Sequence, residues 1–167
     1  YDVVCCIAAG NEADYDIVQR RTFTGAADES MKAAYVTDFD ADGVLDVTDI
    51  YNYFTVTNPE QQVEIDVVLY NVNTGNISKT WRFVNSTNPN GKEYTYTNSY
   101  FKGKVSVTAE NISNGMKGYF LNISDITFVK NNYALGYVVK AKEGQMVTSY
   151  LESTTMFDTD VPGCNQD

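Results

Sequence analysis

From Val63 to Leu151 the chain alternates apolar and polar residues in short runs closed by turn-forming pairs. That pattern leaves little choice but an antiparallel β-sandwich. Val63, Ile65, Val67 and Leu69 recur with a period of two, and Ile77, Lys79, Trp81 and Phe83 share a face of the next strand. Asn73-Thr74-Gly75-Asn76 and Asn88-Pro89-Asn90-Gly91 supply turns. Further strands are predicted at Tyr94–Thr97, Lys104–Ala109, Gly118–Phe128, Tyr133–Ala141 and Gln145–Leu151, separated by Gly103, Asn114-Gly115, Asn131-Asn132 and Glu143-Gly144.

The chain has 167 residues, room for one large or two small domains. Up to Phe54 the texture differs: acidic, with short helices expected at Asp14–Arg21 and Glu29–Tyr35, Gly25 stopping the first and Asp28 capping the second. Pro59 biases Asn58 to an extended conformation, so no helix runs through Thr55–Glu60. The expectation is therefore mixed: a small α-helical module over 1–57 and an antiparallel β-sandwich over 60–167.

Charge narrows the partners. There are 12 Lys+Arg against 22 Asp+Glu, a net of -10, which argues against nucleic acid and anionic membrane surfaces. Residues 1–59 hold 11 of the acids and only 3 bases, so most of the excess lies there. No apolar run approaches the roughly 18 residues of a membrane-spanning helix, and the opening at Tyr1 reads as a mature or trimmed chain. Histidine is absent, which removes Ser-His-Asp and Cys-His catalysis and imidazole-bound zinc. The acid pairs Glu64/Asp66 and Asp158/Asp160 read as ordinary outward-facing charges, so no catalytic residues are assigned and a non-enzymatic protein is expected.

The densest chemistry is Asp38-Phe39-Asp40-Ala41-Asp42-Gly43-Val44-Leu45-Asp46-Val47-Thr48-Asp49, five acids in 12 residues with no base among them. Carboxylates at loop positions 1, 3, 5, 9 and 12 with glycine at 6 follow the spacing of an EF-hand calcium loop. Asp38, Asp40 and Asp42 would aim oxygens at one point, Val44 would offer its carbonyl, and Asp46 would ligate directly or through water. Asp49 would close the shell. Without a cation these carboxylates would repel one another, so a merely solvated acidic loop is a costly alternative. Calcium is the expected ion. Magnesium is the lesser rival, because position 12 is Asp rather than the longer Glu. Ile50, Tyr53 and Phe54, at i, i+3 and i+4, give an exiting helix an apolar face.

The stretch Ala33–Phe54 resembles the second half of a dockerin, a small duplicated calcium-dependent docking module. A shift of 33 residues lays Gly43 on Gly10, Asp49 on Asp16 and Ile50 on Ile17. The remaining ligand positions of that first copy are Cys5, Ile7, Ala9 and Ala13, so the resemblance, over about residues 5–54, implies one calcium site and one metal-free copy. It also places partner recognition at Val47 and Thr48 and on the following helix, with Asp14 and Tyr15 in the degenerate copy. Calcium ordering of the loop would then present Val47, Thr48, Tyr51 and Asn52 as a docking face.

Asp-rich loops and a Thr/Asn-rich sandwich point to an extracellular or cell-surface setting, where disulfides persist. Cys164 is then expected to pair with Cys5 or Cys6, against the alternative of three unpaired thiols. Asn76, Asn85, Asn111 and Asn122 open N-glycosylation sequons, a number close to chance in this composition. The apolar Val3–Ile7 segment would either pack in its own chain or add to a neighbour's sheet edge. Trp81, Tyr94, Tyr96, Tyr119 and Tyr137 fit a sugar-stacking platform or the core equally well. The sequence thus points to calcium-dependent assembly with a protein partner or sister subunits, with polysaccharide binding as the rival reading.

Overall fold

The structure, a computed structural model, describes residues 17–152 and 155–164. Among these, the ordered elements are strands and one 3-10 turn, with no α-helix. The strands are β1 (Val18–Thr22), β2 (Met31–Ala34), β3 (Ile50–Val56), β4 (Glu64–Asn71), β5 (Ile77–Val84), β6 (Glu93–Thr97), β7 (Phe101–Asn111), β8 (Lys117–Val129), β9 (Tyr133–Lys140) and β10 (Met146–Leu151). They form two antiparallel sheets, one in the order β1-β10-β3-β8-β7-β6 and one in the order β2-β9-β4-β5. With the β6–β7 hairpin set aside, two four-stranded sheets remain, and the chain crosses between them at β1–β2, β2–β3, β3–β4, β5–β8, β8–β9 and β9–β10. That is the strand order of a jelly roll.

The helical, dockerin-like module is corrected by this architecture. The expected exit helix is β3, where Ile50, Asn52, Phe54 and Val56 are buried and Tyr51, Tyr53 and Thr55 face outward. Ile50, Tyr53 and Phe54 satisfy a helical spacing, but they are a subset of a period-two strand rich in aromatic and β-branched residues. Glu29–Tyr35 likewise gives β2, with Met31, Ala33 and Tyr35 fully buried. Asp28, expected to cap a helix, takes φ 59°, and Gly25 takes φ 82° in the loop between β1 and β2. Glu29 closes that loop: its carboxylate accepts from the Thr24 amide at 2.9 Å and from Arg21 Nη2 at 2.9 Å. Asp14, Tyr15 and the first-copy positions Cys5 to Asp16 lie outside the described residues, as does Val3–Ile7.

Strands β4 to β10 form close to where the alternation puts them, except that β7 starts at Phe101 and runs through Gly103, expected to separate strands. Pro59 lies between β3 and β4, and the buried Gln145 side chain holds that segment, accepting from Asn58 N at 2.8 Å and donating to Asn58 O at 2.7 Å.

The main core lies between the sheets and includes Phe54, Ile65, Phe83, Phe101, Leu121 and Tyr137. A second cluster covers the other face of the four-stranded sheet, where Val161 and Cys164 pack on Ala34, Val68, Tyr70 and Val138. The expected disulfide staple is corrected on the described side: Cys164 is a free, buried thiol, and Cys5 and Cys6 lie outside the described residues. Burial pushes the thiol up to about 11, against the hydrogen bond with Tyr70 and the charge of Lys32.

Candidate metal centre

The acidic loop is the crossing from β2 to β3, so it spans one end of the sandwich from sheet to sheet. Both of its ends are tied down. The Asp46 and Val47 amides donate to Thr37 O at 2.8 and 3.2 Å, and Val47 is buried beneath. Within that ring the side chains fold inward: Asp38 Oδ2 accepts from Gly43 N at 2.9 Å, and Asp42 Oδ1 from Val44 N at 2.8 Å. Gly43, at φ 84°, makes the turn that a side chain would strain.

The result is a convergence of charge. Asp38, Asp40 and Asp42 each bring a carboxylate oxygen within 4.8 Å of the others. Asp38 Oδ1 is buried without a hydrogen-bond partner. Partial desolvation works to raise the Asp38 carboxyl, but the Gly43 amide, the Asp40 contact and the Asp42 and Ala41 amides outweigh it and hold it low. Asp40 is raised, first by its hydrogen-bonding contact with Asp38, then by desolvation and the charges of Asp42 and Asp46. The two ion pairs among the described residues, Arg21–Glu29 and Lys104–Glu93, lie elsewhere and neutralise none of this. An orphaned carboxylate oxygen within a convergent, all-oxygen donor set fits a hard divalent cation.

The other expected ligands are placed differently. Asp46 Oδ2 accepts from the Phe39 amide at 2.7 Å, closing the loop from its far side. Asp49 turns away: Oδ1 accepts from Asp125 N at 3.2 Å and Oδ2 from the Thr48 hydroxyl at 3.4 Å, tying the loop to β8. Val44 is 64% exposed. Of the expected docking residues, Val47 and Asn52 are buried, Thr48 is exposed, and Tyr51 is half-buried on the outer face of the six-stranded sheet.

Sequence reasoning missed the neighbour of this loop. The β8–β9 connection stands beside it, and between them opens a cleft of about 790 Å³ walled by Val44, Leu45, Phe128, Lys130 and Tyr133. The Asn131-Asn132 turn was legible, but its closeness to the acidic loop depends on pairing between residues far apart in the chain.

No protein-family model matches the sequence, and no curated protein does. Among solved structures, the fold is similar to part of the Clostridium perfringens CspB protease, with TM-score 0.57 and 13% identity over 93% of this chain and 32% of that one. The likeness is one of fold. This chain spans about a third of the length of that protease.

Proposed function

We propose that the Asp38–Asp49 loop holds a calcium ion, and that the chain is an extracellular, non-enzymatic module whose calcium-ordered end serves protein–protein assembly. The observation that carries the reading is the convergence of Asp38, Asp40 and Asp42 around the orphaned Asp38 Oδ1. Asp38, Asp40 and Asp42 would hold the ion, with Asp46 bracing the loop. Calcium supplies the charge that lets three carboxylates stay ionised together. Because the same loop walls the cleft beside Phe128 and Tyr133, ordering it fixes one side of a surface suited to a protein partner or a sister subunit. The exposed Thr48, Phe39 and Val44 rim that end.

Calorimetry of the whole chain tests the ion: a stoichiometry near one is expected, lost in Asp38→Ala. Light scattering with calcium and with chelator tests the assembly. A chain that binds calcium yet keeps one mass, and captures no protein partner in either state, leaves calcium in a purely stabilising role and removes the assembly reading.

A further inference from the structure

The outer face of the six-stranded sheet carries a strip of rings. Following the strand register, Val18 on β1 lies beside Tyr150 on β10, then Tyr53 on β3, Phe120 on β8 and Thr108 on β7. Tyr51, diagonal to Phe120, stands with its ring nearly parallel to it, 13° apart at a centroid distance of 6.1 Å. None of these side chains is among the Tyr and Trp residues that the alternation offered for sugar stacking. Tyr119 and Tyr137 are core, and Tyr96 is 8% exposed.

The posture of Tyr53 makes the strip a platform. Its hydroxyl donates to Glu110 Oε1 on β7 at 2.9 Å, although β8 lies between β3 and β7. The ring reaches that far only by lying flat over β8, and it does so at Gly118, where an added methyl would collide with the phenol oxygen. One face of the ring therefore rests on backbone and the other is turned to solvent. A cleft of about 510 Å³ opens there, lined by Tyr53, Thr108, Glu110, Phe120 and Glu152.

The geometry points to this face as a binding site for a neutral polysaccharide. Flat rings offer electron-rich faces to the C–H side of a sugar, and three neighbouring strands at about 4.8 Å spacing form a platform for an extended chain rather than a single group. Glu110 and Glu152 offer acceptors for hydroxyl donors and repel anionic polymers, in keeping with the net charge of -10. The surrounding Thr55, Ser106, Thr148 and Asn122 donate and accept, as a polyol requires, and Arg20 in the row that ends at Glu110 disfavours a basic peptide.

Native affinity electrophoresis of the whole chain, in gels carrying hydroxyethyl cellulose, galactomannan, xylan or soluble starch, tests this in calcium and in EDTA. At least one polymer should retard the protein in both, which separates this site from the metal loop. Tyr53→Ala and Gly118→Ala should each weaken the effect about tenfold or more, with melting curves reporting that the variants fold. Glu110→Gln, which keeps an acceptor and removes the charge, should change it by less than about threefold. Absence of retardation by all four polymers overturns the proposal. So does retardation unmoved by Tyr53→Ala, or a face that binds poly-lysine and loses it in Glu110→Gln.

Discussion

The Tyr35 hydroxyl donates to Asn52 Oδ1 at 3.0 Å in the interior of the sandwich. Tyr35 follows β2 in one sheet and Asn52 lies on β3 in the other, so the bond spans the two layers and brackets the acidic loop between its partners. Asn52 Nδ2 passes the link on to Ser149 Oγ at 2.8 Å, and both Asn52 and Ser149 are fully buried. Tyr35→Phe leaves Asn52 Oδ1 unpaired in that interior and should cost about 1–3 kcal/mol. Adding Asn52→Leu to Tyr35→Phe should cost less than the sum of the two single changes. Urea denaturation of the three variants measures this, and strict additivity would show that the two groups are not coupled.

Calcium binding should weaken as the pH falls. Asp40 holds its proton to a higher pH than an ordinary carboxyl because Asp38, Asp42 and Asp46 crowd it, and the ion requires it ionised. Binding near the upper edge of the carboxylate range should therefore release protons. Calorimetry at pH 5 in two buffers of different ionisation enthalpy reads that release. An affinity unchanged between pH 7.5 and pH 4.5 would exclude carboxylate ligation.

Buried phenols set the alkaline limit. Burial pushes Tyr96 up to about 12 and raises Tyr35, Tyr70 and Tyr137 further; partial desolvation together with the Glu110 carboxylate pushes the half-exposed Tyr53 up to about 12 as well, while an unfolded tyrosine ionises near 10. Above pH 10 the unfolded chain loses these protons and the native one keeps them, so stability present below that pH is lost as the pH rises toward 12. Cys164, at about 11 against the 9.0 of an ordinary thiol, acts in the same direction and opens its window slightly earlier. With no histidine to titrate, the urea midpoint should be flat from pH 6.5 to 8.5 and fall steeply above pH 10. An unchanged midpoint at pH 11.5 would contradict the burial of the phenols.

Gly136 is where β2, β9 and the Tyr70 ring meet. A Cβ there would run into the Ala33 carbonyl and into the ring, whose hydroxyl donates to Tyr137 O at 2.7 Å. Gly136→Val should therefore destabilise by about 1–3 kcal/mol or more, through overpacking against backbone that cannot yield. Gly144→Ala provides the contrast. It has open space around it and φ 84°, so it should cost only the smaller strain of a left-handed residue. Thermal melts of the pair should rank in that order, and the reverse order would contradict the close approach at Gly136.

Much of this molecule follows from spacing along the chain alone. Val63, Ile65, Val67 and Leu69 alternate because a strand turns successive side chains to opposite faces, and β4 to β10 stand close to where that period runs. The acidic loop is equally local: Asp38, Asp40 and Asp42 converge because a short chain curling at Gly43 brings alternate residues to one side. Tertiary structure decided what local spacing left ambiguous. Ile50, Tyr53 and Phe54 fit a helix or a strand, and pairing with β8 and β10 selected the strand. Val68 and Tyr70 are buried on the sheet's second face only because Val161 and Cys164 fold back over it. Asp49 is tied to β8 because Asp125, 76 positions away, offers it an amide. Tyr53 lies flat because Gly118 and Glu110 come from two further strands. Such contacts join residues distant in sequence, and the free energy that selects them comes from burial shared across the sandwich, which no short window of residues contains.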